Sequence, residues 1–125
     1  RSLDAGEREL IKEKGIKVFT MHEVDRLGMS AVMQETIEYL KDRTDGLHLS
    51  LDLDGLDPDT APGVGTPVMG GLSYRESHLA MEMLHESGLV TSAEFVEVNP
   101  ILDEKNKTAS VAVGLMGSLF GEKLL

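Results

Sequence analysis

Apolar side chains recur along this chain in two rhythms. Met29, Val32, Met33, Thr36, Ile37 and Leu40 follow helical spacing, with a start near Gly28 or Ser30. Leu79, Ala80, Met83 and Leu84 mark one face of a helix over residues 74–87, closed by Gly88. Residues 47–54 instead alternate strictly, with Leu47, Leu49, Leu51 and Leu53 against His48, Ser50, Asp52 and Asp54, which predicts a strand. Two further strands are predicted over residues 16–21 and 94–98. Asp4, followed three residues later by Glu7, opens a short helix that Gly15 ends. A last helix covers about residues 107–123. Gly114, Gly117 and Gly121 lie near one of its faces, which suggests close helix packing.

The resulting order, β-α-β-α-β-α, predicts an α/β fold with a mostly parallel sheet and helices on its faces. Three strands make a thin sheet for that class. Pro58, Pro62, Pro67 and several glycines fill residues 55–71, a long loop of the kind that usually carries function. The length of 125 residues suits one domain. The start at Arg1 rather than Met reads as a cut inside a longer sequence.

Composition removes several classes of function. A net charge of −10 argues against a nucleic-acid binder, as does an aromatic content of three Phe and two Tyr. The same charge suits a cationic substrate, although its ordinary role is solubility. Cysteine is absent, which excludes disulfides and thiolate metal sites and fits a cytoplasmic location. No signal peptide is visible. The longest nearly apolar run, residues 109–120, is too short to span a membrane.

The candidate chemistry lies where the alternating strand ends. Strand geometry sends Asp52 and Asp54 to the same side, about 7 Å apart at Cα. They sit at the carboxyl edge, where open α/β sheets bind ligands. Two converging carboxylates repel unless a proton or cation lies between them, and oxygen donors suit a hard divalent ion. A bare Asp-x-Asp serves equally well as a loop or helix cap. Asp57, before Pro58, reads as a turn residue. His48 shares the aspartate face but lies about 13 Å from Asp52, which makes it a hydrogen-bonded core or interface residue rather than a ligand. His22, His78 and His85 show no ligand spacing and read as surface or packing residues. Glu97, at the end of the third predicted strand, is either a solvated edge residue or an acceptor for a cationic group, for which a guanidinium supplies a matching fork.

Four blocks, in order and spacing, resemble the ureohydrolases. They are Ser50-Leu-Asp-Leu-Asp-Gly-Leu-Asp-Pro58, Ala61-Pro-Gly-Val-Gly-Thr-Pro67, Gly70-Gly-Leu-Ser-Tyr-Arg-Glu76 and Val96-Glu-Val-Asn-Pro100. Within that family, the whole chain looks like the C-terminal portion of a bacillus-type arginase. The resemblance implies a three-layer α/β/α sandwich, two Mn²⁺ ions, and hydrolysis of L-arginine to L-ornithine and urea. It assigns Asp52 to both metals, Asp54 to one, Glu97 to the substrate guanidinium and Thr66 to the lining of the substrate site. It also implies a homo-oligomer, trimer or hexamer, with Arg75 and Glu76 either at an interface or forming a charge pair at a helix start.

The family's remaining metal ligands, a His and an Asp-Ala-His-x-Asp motif, have no counterpart here. The expectation is therefore a C-terminal part without its N-terminal half, inactive alone, with an open sheet edge and exposed apolar surface. Tyr74-Arg75-Glu76 and Val98-Asn99-Pro100 favour arginase over agmatinase, the nearest rival. A noncatalytic α/β assembly module is the alternative of a different class. A single-metal phosphotransfer domain fits less well, because the chain has no P-loop or basic cluster.

Overall fold

The computed structural model describes residues 1–123. In chain order it contains helices α1 (Ala5–Lys14), α2 (Met21–Leu27) and α3 (Met29–Lys41), then strand β1 (Leu47–Asp52) and a 3₁₀ turn, Leu53–Gly55. Helix α4 (Tyr74–Ser87), strand β2 (Val90–Val96) and helix α5 (Lys107–Leu119) follow. The two strands are parallel neighbours, joined through α4. Asp52, the last residue of β1, stands opposite Val96, the last of β2.

Short-range chemistry sets most helix ends. The Asp4 carboxylate accepts from the Glu7 N–H at 2.8 Å, and Glu7 accepts from the Asp4 N–H at 2.8 Å. Gly15 then closes α1 in the left-handed conformation. At α4, Glu76 accepts from the Ser73 N–H at 2.8 Å and from its hydroxyl at 2.6 Å. Glu76 is thus a capping residue and makes no ion pair with Arg75, contrary to the helix-start charge pair that was one reading of these two.

Residues 16–21 do not form the expected strand. Residues 16–20 run without a sheet partner, and Met21 already belongs to α2. The Glu23 carboxylate accepts from the Thr20 N–H at 2.7 Å and from the Thr20 hydroxyl, which starts a helix at the point where the strand was expected to continue. The sheet therefore has two strands among the described residues rather than three.

Leu47, Leu49 and Leu51 pack against a core built from α2, α3, α4 and α5, while His48, Ser50 and Asp52 are exposed. Leu53, Leu56, Val64 and Leu115 are fully buried at its centre. A Cβ at Gly114 would lie 2.8 Å from the Tyr74 hydroxyl, so this glycine lets α5 approach α4 closely. Gly121, by contrast, lies beyond the end of α5, with its backbone against the His85 ring. Ile101, Met69 and Phe120 stand out as exposed apolar side chains. Both strands are edge strands among the described residues, in line with the expected open sheet.

Leu53 is the anchor through which the core holds the turn after β1. Leu53→Ala should lower unfolding stability by about 2–5 kcal/mol, through lost burial and the cavity left behind, as read from the urea midpoint of the chain.

Candidate active site

The site is built at the carboxyl ends of β1 and β2. Strand alternation carries only as far as Asp52. Leu53 turns inward, and the Asp52 carboxylate accepts from the Asp54 N–H at 2.9 Å across the 3₁₀ turn. Asp54 is therefore brought toward Asp52 by a side-chain-capped turn, not by the pleat that the alternation implied. The Asp52 side chain is exposed, whereas Asp54 is partly buried. That burial, with the neighbouring Asp52 charge second, raises the Asp54 carboxyl above its ordinary range. The Arg1 guanidinium, donating to the Asp54 and Gly55 carbonyls at 2.5 and 3.0 Å, offsets part of this rise.

The loop after the turn is ordered by another aspartate. Asp57 accepts from the N–H groups of Asp59 at 3.0 Å, Gly70 at 2.8 Å and Gly71 at 3.3 Å. The bonds from Asp59 and Gly70 chiefly hold its carboxyl below the usual range. Leu56 and Leu72 meet in a parallel bridge, with the Asp57 N–H donating to the Leu72 carbonyl at 2.9 Å. A Cβ at Gly71 would lie 2.4 Å from the Leu56 carbonyl carbon, so only glycine permits this closure. The turn role read for Asp57 thus extends to both ends of a loop thirteen residues apart.

Glu97 follows the last residue of β2 and leaves the strand with φ of 66°. Left-handed backbone costs a non-glycine residue about 1–2 kcal/mol, and such strain concentrates at functional positions. β2 runs over Val90–Val96 rather than residues 94–98, so Glu97 lies outside the ladder. One of its carboxylate oxygens lies 3.7 Å from where a Gly65 Cβ would be. Thr66, the next residue, is exposed on the same loop. The fold thus brings Glu97 to the Gly65-Thr66 segment, and strand register sets Asp52 beside it at the adjoining strand end.

His48 is exposed rather than buried. It bonds to the Ser92 hydroxyl at 2.8 Å, while Ser50 donates to Glu94 at 2.9 Å, so the polar face of β1 is matched across to β2. His78 stands 3.5 Å from Glu82, and His85 bonds to the Leu119 carbonyl at 3.1 Å. None of these histidines joins the aspartates.

Sequence reasoning missed Asp103 and Thr108. The Asp103 carboxylate accepts from the N–H groups of Glu104 at 2.9 Å, Thr108 at 3.0 Å and Ala109 at 3.1 Å, capping α5. Burial alone would raise this carboxyl, but those N–H groups and the Thr108 hydroxyl outweigh it and hold the carboxyl low. Thr108 is 0% exposed, and its hydroxyl accepts from the Gly63 N–H at 2.7 Å. The Gly63 carbonyl in turn accepts from the Asn99 N–H at 2.8 Å. The only hint in the sequence was an Asp shortly before a helix start, a signal too common to single it out.

The donor chemistry at Asp52 and Asp54 fits a hard divalent cation, since both are carboxylates and Asp54 is partly buried beside the Asp52 charge. They supply only part of a ligand set. No group of three or more His, Asp or Glu placed to hold a metal occurs among the described residues.

A parallel strand pair joined by a helix, with carboxylates at its carboxyl edge, is the α/β class of fold, in which that edge is where ligands bind. The chain belongs to the arginase family, whose model matches residues 1–121. It is 80% identical to the arginase of Bacillus caldovelox and 71% identical to that of Bacillus subtilis, each over all 125 residues. It spans 42% of the length of each. The Bacillus caldovelox arginase structure superposes over the whole chain with a TM-score of 0.98 and has 42% of its own length matched. Entamoeba histolytica arginase, solved in complex with L-ornithine, gives 0.90 at 37% identity, covering 97% of this chain and 41% of that one. Formimidoylglutamase from Bacillus subtilis also gives 0.90, at 29% identity, with 97% and 38% covered. The arginase-type α/β fold expected from the sequence is therefore established.

The Asp103 network has a definite pH signature. Its carboxyl is held low in the folded chain, so its stabilisation is present above the ordinary aspartate pKa and is lost as pH falls through the folded value. Asp103→Asn should therefore lower the urea midpoint clearly at pH 7, with the gap to the parent chain narrowing below about pH 4.

Proposed function

We propose that this chain forms the substrate- and metal-facing C-terminal part of a manganese-dependent arginase, which hydrolyses L-arginine to L-ornithine and urea. The observation that carries this reading is the meeting of Asp52, Asp54 and Glu97 at one sheet edge, in a chain 80% identical to an arginase. The ornithine complex of the Entamoeba histolytica relative supports the same substrate class.

Asp52 and Asp54 would hold Mn²⁺, Asp52 toward two ions and Asp54 toward one. Two divalent ions, when bound, supply a water acidic enough to act as nucleophile at neutral pH. Glu97 presents two oxygens to the planar guanidinium, from a left-handed backbone just beyond the end of β2. Thr66 offers a hydroxyl on the loop beside it. The net charge of −10 draws a cationic substrate toward this edge.

Alone, the chain is inactive in this reading, because two carboxylates leave most of the coordination shell of two ions to other residues. The enzyme is a cytoplasmic homo-oligomer, trimer or hexamer, and exposed apolar side chains such as Ile101 and Phe120 are surface that a larger assembly would cover. No helix among the described residues is long and apolar enough to cross a membrane.

The test is a hybrid in which this chain replaces the matching 42% of the Bacillus caldovelox arginase. With Mn²⁺ it should release urea from L-arginine and prefer arginine to agmatine, while the isolated chain releases none. Asp52→Ala and Glu97→Gln should each lower kcat/KM by roughly a hundredfold or more. Preference for agmatine would move the assignment to agmatinase. Full activity in either variant would remove that residue from its role.

A further inference from the structure

Thr108 lies on a helix that contributes no residue to the site, yet its hydroxyl ends a chain of bonds that leads to Glu97. The hydroxyl, fully buried, accepts from the Gly63 N–H at 2.7 Å. Gly63 passes the constraint on through its carbonyl, which accepts from the Asn99 N–H at 2.8 Å. Asn99 is two residues beyond Glu97, whose left-handed φ of 66° requires the backbone on its C-terminal side to be held. In the other direction the same Gly63 peptide leads through Val64 to Gly65 and Thr66, and the Glu97 carboxylate rests against Gly65. Only glycine fits at position 63, since a Cβ there would lie 2.4 Å from the Asp103 Cβ, just before the helix.

We propose that Thr108 is a positioning residue for substrate: its buried hydroxyl, through Gly63, sets both Glu97 and the Thr66 loop at the place where a guanidinium binds. The proposal rests on the reading of Glu97 as the guanidinium anchor. Without the hydroxyl, the Gly63 N–H is buried and unpaired and draws the loop away to find a partner. Asn99 loses a fixed acceptor, and Glu97 is free to relax toward the extended backbone that its residue type prefers. Glu97 binds the guanidinium before as well as during reaction, so its misplacement weakens binding more than turnover. A purely structural role for Thr108 would instead reduce the amount of folded enzyme and leave the KM of the remainder unchanged.

The experiment uses the hybrid arginase carrying this chain, with thermal stability, kcat and KM for L-arginine measured together. Thr108→Val, which keeps the shape and removes the hydroxyl, should raise KM by about tenfold, with kcat falling less. Thr108→Ser, which restores the acceptor, should return KM to within about twofold of the parent. Leu115→Ala, buried in the same helix but bonded to nothing at the site, should lower stability without moving KM. Should Thr108→Val not fold, Thr108→Ala removes the same hydroxyl without placing a methyl where it stood, and should raise KM in the same way. An active hybrid in which these substitutions leave KM unchanged, or in which Leu115→Ala raises it equally, overturns the positioning role alone. An unsubstituted hybrid that releases no urea overturns the arginine reading and the proposal with it.

Discussion

Parallel pairing of β1 with β2 is the constraint from which the rest follows. A parallel pair needs a long crossover, and here α4 with the loop before it supplies one. The pairing sets the carboxyl ends of both strands on one edge, with Asp52 opposite Val96. Whatever leaves those two ends must share the same space. The 3₁₀ turn carries Asp54 from one end, and the left-handed residue Glu97 carries a third carboxylate from the other. The loop of residues 55–73 closes the space, tied at its start by Asp57 and along its middle by Gly63.

The aspartates at this edge show how environment separates residues of one type. Asp57 and Asp103 each collect backbone N–H groups, which favour the ionised form and pull their pKa values down. They stabilise loop and helix at neutral pH. Asp54 accepts no such bonds, is partly buried and faces the Asp52 charge, and its pKa goes up. Its penalty is absent below the ordinary aspartate pKa and grows as pH rises through the folded value. A cation at this position relieves that penalty directly. The fold thus stabilises itself with the aspartates that accept backbone N–H groups and leaves Asp54 without them where metal chemistry is proposed.

The oxygen-rich pair by itself does not separate an arginase from its relatives. Formimidoylglutamase shares the fold at 29% identity, so the scaffold hosts more than one substrate. The proposed choice of arginine rests on Glu97, whose two acceptor oxygens would match a planar, forked cation. The backbone two residues beyond Glu97 is tied through Gly63 to Thr108, on a helix that otherwise fills the core.

By itself the sequence determined the features that depend on residues a few positions apart. Asp4 with Glu7 starts a helix, Gly15 and Gly88 end helices, and the Leu alternation of β1 faces the core as read. These need only local hydrogen bonds and one apolar face. The four motif blocks also marked the family, which its model matches over residues 1–121. Tertiary structure alone decided the rest. Residues 16–20 have strand-like composition but no sheet partner among the described residues, and Thr20 with Glu23 favours a helix start immediately after. Asp54 joins Asp52 through a turn that a buried Leu53 enforces, not through the pleat. Glu97 takes its backbone from Gly63 and Thr108, residues distant in sequence that meet only once the chain has folded. A periodicity can say which way a side chain faces, but only the partners gathered from elsewhere in the chain can hold it there.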